Sequence, residues 1–260
     1  MVCVYDSGVG GLTALRALRR AAPECDVLYF GDTARVPYGV RDAATVSRYA
    51  REVLAYLAAL SPSAVLVACG TVSTVFLPAA QGYRFPILGV AEPGIRAAAA
   101  AAPRGHIAVL GTEATVRSGY FAKRLRAEAP HARVTSLACP LFVALAEGGH
   151  TAPDDPIARV AVRTLLAPLL REEPDAILLG CTHFPWLSFH IARLFPRAVL
   201  IDPGAEAVAE LSPMLAGERG SGRTEYHVTD GAASFLRAAH RMTGAAVGET
   251  VREVSLTKEV

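Results

Sequence analysis

The sequence predicts an α/β fold of two similar domains, each with a mostly parallel sheet, related by a pseudo-twofold axis. Short apolar runs alternate with amphipathic helical stretches along the 260 residues, as in parallel sheets covered by helices. Most of these runs end in a small or polar cluster. Two of the ends read almost as copies of one another, VLVACGT at residues 65–71 and ILLGCTH at 177–183. This internal likeness favours a duplicated chain.

The apolar runs are predicted to be strands, because each is short and bounded by turn-forming residues. They are Val2–Tyr5, Val27–Phe30, Val65–Ala68, Ile87–Val90, Ile107–Leu110, Val134–Leu137, Ile177–Leu179 and Val199–Ile201. Four intervening stretches have clear helical spacing: Leu12–Ala21, Thr45–Ala59, Ser118–Ala129 and Ile157–Leu170. In the second stretch Val46, Val53 and Leu57 recur on one face, which predicts a helix packed on a sheet.

The first of the two domains is predicted to be discontinuous. A turn at Glu92-Pro93-Gly94 and a return of the chain near Pro203 assign residues 1–93 plus 206–260 to the first domain and 94–205 to the second. The first then carries Cys69 and the second Cys181. Ligands bind outside the carboxyl ends of parallel strands. We therefore expect both cysteines to face one active site in the cleft between the domains.

The composition is that of a globular protein, with 52% hydrophobic and 19% charged residues. No apolar run reaches the length of a bilayer span and the chain opens directly into a strand, so we expect a cytoplasmic protein that does not contact the membrane. The net charge is +2 with scattered arginines, which disfavours nucleic acid as a ligand. Five cysteines without disulfide-framework spacing suit a reducing compartment.

The sequence gives little support for a cofactor. The only lysines are Lys123, in a charged helical pattern, and Lys258, in the C-terminal tail. Neither is expected to be the buried lysine that pyridoxal phosphate chemistry requires. A zinc site from Cys69, Cys181 and His183 stays open as an alternative, but no CxxC or HxxxH spacing supports it. We therefore expect no cofactor and no metal.

Two of the five cysteines are candidate catalytic groups. Cys3, Cys25 and Cys139 are interpreted as core residues, because buried cysteines are usually inert. Cys69 and Cys181 differ, since each ends a strand, precedes small polar residues and lies near a helix N-terminus that favours the thiolate. Two thiols across one cleft suit a two-base proton transfer, in which one thiolate removes a proton from carbon and the opposing thiol protonates the other face.

Several polar residues could assist these thiols. Asp6 belongs to the turn DSGVGG at 6–11, where it caps a helix or directs its carboxylate into the crevice. His183 follows Cys181 by two residues and is a candidate base. The other histidines are interpreted as surface or strand-edge residues: His106, His131, His150, His190, His227 and His240. The loop TARVPYG at 33–39 is an anion-binding backbone or an ordinary turn, and the sequence leaves both open.

Together these motifs resemble the glutamate racemase family over nearly the whole chain. The resemblance rests on YDSGVGGL at 5–12, GDTARVPYG at 31–39, GT-x-x-T at 111–115, CPLFV at 139–143 with Glu147, and LGCTHFP at 179–185. It implies cofactor-independent racemisation of L-glutamate to D-glutamate for peptidoglycan synthesis. It also implies two α/β domains with the active site between them, and a homodimer.

The resemblance further implies a role for each site residue. Cys69 and Cys181 would be the acid/base thiols, assisted by Asp6 and His183 respectively, with Glu147 as an auxiliary carboxylate. The side-chain carboxylate of the substrate would be held by Ser7, Tyr38 and Gly39. The α-amino and α-carboxylate groups would be bound by Gly70, Thr71, Thr112, Thr115 and Thr182.

Gly70 departs from the family pattern, which has asparagine after the first cysteine. A lost hydrogen bond to the charged α-groups costs roughly 1.5–3 kcal/mol. If nothing replaces it, Gly70→Asn should raise kcat/KM for glutamate about tenfold or more. If Ser73, Thr74 or an ordered water has rebuilt the pocket, it should not. Two alternatives to a glutamate racemase stay open: a racemase for aspartate, another amino acid or a dicarboxylate, and a weak paralogue that binds a partner, as some family members bind DNA gyrase.

Overall fold

The computed structural model describes residues 1–218, 220–243 and 251–256. In this part of the chain the strands, in chain order, are β1 (Val2–Asp6), β2 (Val27–Gly31), β3 (Ala64–Val67), β4 (Ile87–Gly89), β5 (His106–Gly111), β6 (Arg133–Ala138), β7 (Ala176–Leu179), β8 (Val199–Ile201), β9 (Thr224–Val228) and β10 (Val251–Glu253). They form sheet A, with strand order β10-β9-β2-β1-β3-β4, and sheet B, with order β6-β5-β7-β8. The recorded strand pairs of both sheets are parallel. The predicted α/β class is confirmed.

Sheet B repeats the strand order of part of sheet A. In each, the first strand of the half lies between the second and the third, and the fourth flanks the third. β3 and β7 therefore occupy equivalent places, and Cys69 and Cys181 follow them at equivalent ends. β9 and β10 extend sheet A beyond this common pattern. The predicted likeness of the two halves is thus visible in the topology.

The helices that cover the sheets are α1 (Leu12–Ala21), α2 (Ala43–Ala59), α3 (Gly70–Val75), α4 (Ala91–Ala101), α5 (Glu113–Ser118), α6 (Tyr120–Glu128), α7 (Leu141–Glu147), α8 (Pro156–Leu165), α9 (Ser188–Leu194), α10 (Pro203–Leu215) and α11 (Ala232–Thr243). Helices lie on both faces of each sheet, as parallel strands require. On sheet A, α1, α10 and α11 supply the core of one face, and α2 and α3 that of the other. On sheet B, α7, α8 and α9 cover one face and α4 and α6 the other.

One part of the core joins the two halves. Trp186 and Ala146 come from the chain around sheet B, yet both pack into the core formed on sheet A by α1, α10 and α11. The Trp186 ring is stacked by the guanidinium of Arg16, 4.6 Å from its centroid. The second half therefore completes a core of the first.

The assignment of residues 1–93 plus 206–260 to one domain and 94–205 to the other stays a proposal. The strands of sheet A and sheet B do fall on the two sides of this division. However, both proposed boundaries lie inside helices, the first in α4 and the second in α10. Part of the C-terminal segment, at 219, 244–250 and 257–260, lies outside the described residues.

Local details differ from the sequence predictions at several points. The predicted helix 118–129 is interrupted at Gly119, whose φ of 66° ends α5 before α6 begins. The predicted helix 157–170 ends at Leu165 and continues as a 3₁₀ turn at Ala167–Leu169. Strands β9 and β10 were not predicted. The interpretation of His106, His190 and His227 as surface or strand-edge residues is wrong, because all three are buried.

No helix in the described residues is both long and apolar enough to cross a membrane.

Candidate active site

The two halves enclose a cavity of about 180 Å³ at the carboxyl ends of their strands. The first half lines it with Ser7, residues 36–40 and residues 69–71, and the second with Thr112, Glu113, Pro140, Val143 and residues 180–183. Most of the predicted site residues therefore meet here. The exceptions are Asp6, Thr115 and Glu147, which lie behind the lining residues.

Cys69 lies between the end of β3 and the first turn of α3, and its side chain is buried. Its Sγ is 3.6 Å from the hydroxyl oxygen of Ser7, to which the thiol can donate. Burial and, to a smaller extent, the negative charge of Asp6 raise the pKa of the Cys69 thiol to about 12, although hydrogen bonds with the Val72 amide and the Ser7 hydroxyl oppose the increase. This cysteine is therefore held as a neutral thiol.

Asp6 ends β1 and is fully buried beside the cavity. Its carboxylate accepts a hydrogen bond from the Gly8 amide at 2.9 Å and one from the Thr182 hydroxyl at 3.4 Å. Burial raises the pKa of Asp6, while the charge of His183 and these hydrogen bonds oppose the increase. Asp6 thus joins the halves through Thr182 and acts on Cys69 through its charge.

Cys181 has a different set of partners. Its Sγ is 3.7 Å from His183 Nδ1, and the opposite ring nitrogen, Nε2, is 2.9 Å from Glu147 Oε1. Burial lowers the pKa of His183, but the bonds to Cys181 and Glu147 outweigh it and raise that pKa to about 10. The three side chains form a thiol–imidazole–carboxylate chain that can hold a thiolate against an imidazolium.

Glu147 does not line the cavity. It is the last residue of α7, its side chain is partly exposed, and its carboxylate reaches the site only through His183. Its backbone carbonyl accepts a hydrogen bond from Arg241 Nε of α11, at 3.1 Å. Glu147 can therefore orient His183 and favour its protonated form.

The loop at 33–40 forms one wall of the cavity. The Tyr38 hydroxyl is directed away from the cavity, into a buried contact with the Asp32 carboxylate and at 3.4 Å from the Tyr5 hydroxyl. The group that Tyr38 can offer an anion is therefore its backbone N–H. A Cβ added at Gly39 would lie 2.9 Å from Thr112, so this wall closes against the second half.

The sequence analysis missed the network that holds this loop. Asp32 is fully buried and its carboxylate accepts bonds from Arg35 Nε at 2.7 Å, from Thr229 Oγ1 at 2.8 Å and from Tyr38. Thr229 Oγ1 also accepts a bond from the Ala34 amide at 2.9 Å. The sequence did contain a signal for this network: an acidic residue that directly follows a strand and lies three residues before an arginine.

The threonines predicted to bind the α-groups have unequal positions. Thr71, Thr112 and Thr182 line the cavity. Thr115 is buried behind Thr112, whose hydroxyl accepts a bond from the Thr115 amide at 3.2 Å as the cap of α5. The two hydroxyls are 3.0 Å apart. Thr115 can therefore orient Thr112, and it does not itself line the cavity.

Gly70 lines the cavity, but there is no room for the side chain that the family pattern carries. A Cβ added there would lie 2.5 Å from the carbonyl oxygen of Gly180, closer than real Cβ atoms come to backbone oxygens. An asparagine side chain, which was expected to restore a hydrogen bond, therefore lacks the space it needs. Nor do the nearby hydroxyls rebuild the pocket, because Ser73 bonds the Val67 carbonyl and Thr74 the Gly70 carbonyl.

The remaining cysteines and lysines lie away from this chemistry. Cys3, Cys25 and Cys139 are buried in the core, as expected. Lys123 is exposed on α6, and Lys258 lies outside the described residues. Among residues 1–218, 220–243 and 251–256, no cluster of three His, Cys, Asp or Glu side chains is arranged to hold a metal ion. Chemistry without a cofactor stays a prediction.

Comparison with known proteins places this site in a family. The family model described as Asp/Glu/hydantoin racemase matches residues 13–211. The glutamate racemase of Geobacter metallireducens is 40% identical over 98% of this chain and 97% of its own length. The crystal structure of Thermus thermophilus glutamate racemase in complex with β-chloro-D-alanine is 39% identical, with a TM-score of 0.84 over 98% of this chain and 96% of that one.

A third comparison agrees. The Francisella tularensis glutamate racemase in complex with D-glutamate superposes with a TM-score of 0.88 at 28% identity, covering 98% of this chain and 97% of that one. The identities near 40% to the first two relatives and the high TM-scores of the two structures agree. The chain therefore belongs to the glutamate racemases of the Asp/Glu racemase family, and it is an amino-acid racemase.

Proposed function

We propose that this protein interconverts L- and D-glutamate by a two-thiol, two-base mechanism that needs no cofactor. The observation that carries the proposal is the placement of Cys69 and Cys181, which line one cavity from opposite halves at equivalent strand ends. The similarity to glutamate racemases over nearly the whole chain supports glutamate as the substrate. So does the relative whose structure contains D-glutamate.

The partners of the two thiols suit this reaction. In the direction described here, Cys181 acts as the base beside His183, and Cys69 acts as the acid. With the α-carbon between them, Cys181 takes the α-proton from one face and Cys69 gives its proton to the other. The product has inverted configuration, Cys181 is left as the thiol and Cys69 as the thiolate. The reverse reaction uses the same groups with their roles exchanged.

Proton removal is the difficult step, because the α-proton is a very weak acid. The carbanion that forms must be stabilised by hydrogen-bond donors held in place before reaction. Under the proposal, the N–H groups of Tyr38 and Gly39 with the Ser7 hydroxyl hold the side-chain carboxylate. The hydroxyls of Thr71, Thr112 and Thr182 contact the α-groups. Asp6 and the His183–Glu147 pair set the charges of the two thiols.

The proposal extends to the use of the product. We propose that the D-glutamate formed is used in peptidoglycan synthesis and that the protein acts in the cytoplasm. Assembly as a homodimer belongs to the same proposal and is checked by sedimentation of the purified protein.

Deuterium exchange tests the activity directly. Purified protein in D₂O, without added cofactor, should invert glutamate and place deuterium at the α-carbon, with the same rate in the presence of EDTA. Aspartate and other amino acids serve as parallel substrates. Inversion of another acid, with none of glutamate, would contradict the substrate assignment. Activity lost with EDTA and restored by zinc would contradict the mechanism without a metal.

A further inference from the structure

The two cysteine-bearing strand ends touch each other through their backbones. Gly70 directly follows Cys69 and Gly180 directly precedes Cys181, and the Cβ direction of Gly70 is filled by the Gly180 carbonyl oxygen at 2.5 Å. The carbonyl carbon of Gly180 and the Cα of Cys181 lie 3.4 and 3.9 Å from the same point. This contact connects the backbones of the two thiol-bearing residues across the cleft.

A backbone hydrogen bond holds Gly180 in this contact. Its amide donates to the Leu110 carbonyl at 2.7 Å, which fixes it to the end of β5. Its own Cβ direction is occupied by that same carbonyl oxygen at 2.8 Å and by the Phe121 ring at 3.2 Å. Glycine is therefore required here as well, because a side chain would meet this carbonyl oxygen and this ring.

Gly70 is held just as firmly on its own side. It is buried at the first position of α3, where the Ser73 amide donates to the Cys69 carbonyl at 2.9 Å and the Thr74 hydroxyl donates to the Gly70 carbonyl at 3.0 Å. Cys69, Gly70 and the first turn of α3 thus move as one unit. A side chain at position 70 must push this unit, with its thiol, away from Cys181.

We propose that Gly70 sets the separation of the two catalytic thiols by allowing the strand ends to meet backbone to backbone. The inference rests on the proposed function and adds a positioning residue to it. In this protein the absence of a side chain at 70 is then a geometric requirement of the site, and it is not a missing substrate contact. The hydrogen bonds to the substrate come from the other residues that line the cavity.

The expected cost of a side chain follows from the distances. A Cβ at ordinary contact distance, 3.4 Å or more from the Gly180 oxygen, requires the strand ends to separate by about 1 Å. A misplacement of that size reduces the rate of a positioned reaction by about a hundredfold. Gly70→Ala should therefore lose about a hundredfold in kcat for glutamate inversion, with a smaller change in KM. Gly70→Asn should lose at least as much.

The experiment compares Gly70→Ala with Gly217→Ala, a control at an exposed glycine whose Cβ direction is open. Each protein receives L-glutamate in D₂O, and deuterium is measured separately in recovered L-glutamate and in D-glutamate. With the thiols moved apart, the thiol that removed the proton exchanges it with D₂O and returns a deuteron to the same face before the other thiol can deliver one. The ratio of exchange with retention to inversion should rise in Gly70→Ala and stay at the parental value in the control.

Each result decides the matter. Inversion by Gly70→Ala within about threefold of the parent would overturn the proposal, as would a raised KM with unchanged kcat, which indicates a binding role. A proportional loss of exchange and inversion, or failure of the variant to fold, would also overturn it, since the strain is assigned to the cleft and not to the fold. A parent that does not invert glutamate would refute the proposed function instead.

Discussion

The ends of β3 and β7 place their cysteines in equivalent positions, yet the two thiols have different neighbours. Cys69 faces the hydroxyl of Ser7 and the buried charge of Asp6, and burial together with the charge of Asp6 raises its pKa. Cys181 faces His183, which is itself bonded to Glu147. The duplicated topology thus supplies matching positions, whereas the neighbours of the two thiols do not match. Under the proposed mechanism one thiol removes a proton from the α-carbon and the other delivers a proton to the opposite face.

The largest expected effect comes from removing either thiol. Cys69→Ser and Cys181→Ser should each lower glutamate inversion by about 10⁴-fold or more, because a serine hydroxyl is a far weaker acid and positioned acid–base groups contribute up to about that factor. Inversion is followed by polarimetry, with Cys139→Ser as the control for loss of a buried cysteine. A single-thiol variant within about tenfold of the parent would show that the two-base assignment is wrong.

The charge on the Cys181 side is the next point to test. His183→Asn should lower kcat about a hundredfold, because Cys181 loses a neighbouring positive charge that favours the thiolate. The loss should shrink as the pH rises through about 10, where His183 of the parent protein loses its own proton. A rate that falls by the same factor at every pH would contradict the charge assignment.

The pH dependence of thermal stability should also test the charge on His183. The pKa of His183 is raised from its usual 6.5 to about 10 on folding, so its contribution to stability is full below about pH 6.5 and is lost as the pH rises through 10. The difference in melting temperature between the parent and His183→Asn should therefore be largest near pH 6 and decrease steadily toward pH 10. Thermal melts across this range measure it, and a difference that grows with pH would have the wrong sign.

The Cys69 side should respond to Asp6 more weakly. Asp6→Asn removes a negative charge that raises the pKa of Cys69, so that pKa should fall and the thiol should react faster with an alkylating reagent. We expect about a tenfold loss of kcat, since the thiol becomes a poorer base in the reverse direction. Alkylation of Cys69, located by peptide mass spectrometry, is the measurement. Unchanged reactivity of Cys69 would show that the charge of Asp6 does not act on this thiol.

The smallest effect is expected at α11. Arg241→Ala removes the bond to the Glu147 carbonyl and should lower kcat about threefold through a less well oriented His183. Arg237→Ala, one turn earlier on α11, is the matched control, because Arg237 bonds Ser234 of its own helix. Equal losses in the two variants would indicate a general effect of the helix.

Local sequence patterns determined which features could be predicted. The strands, the paired cysteines at their ends and the His183 neighbour follow from short apolar runs and from the rule that parallel strands present their carboxyl ends at one edge. The break at Gly119 was missed because a glycine in a helical pattern does not reveal its φ. The burial of His227 was missed because its partner, Tyr56, is distant in sequence.

The position of one half against the other was beyond such patterns. Nothing in the residues around Cys69 states how closely Gly180 approaches, because that distance depends on the packing of both sheets and of the helices between them. Gly70 was therefore interpreted as a lost contact to the substrate, whereas it lies where the two halves approach each other closely. The Asp32 network was missed for a similar reason, since Thr229 reaches it from the far end of the chain.

The position of Trp186 affects whether either half of the chain could be produced alone. It lies three residues after His183 and fills the core of the other half, together with Ala146, the neighbour of Glu147. Either half produced alone would therefore be incomplete: the first would contain an unfilled core, and the second would expose a tryptophan and lose the support of its histidine and glutamate. Two halves with the same strand order are in this way joined through one shared core.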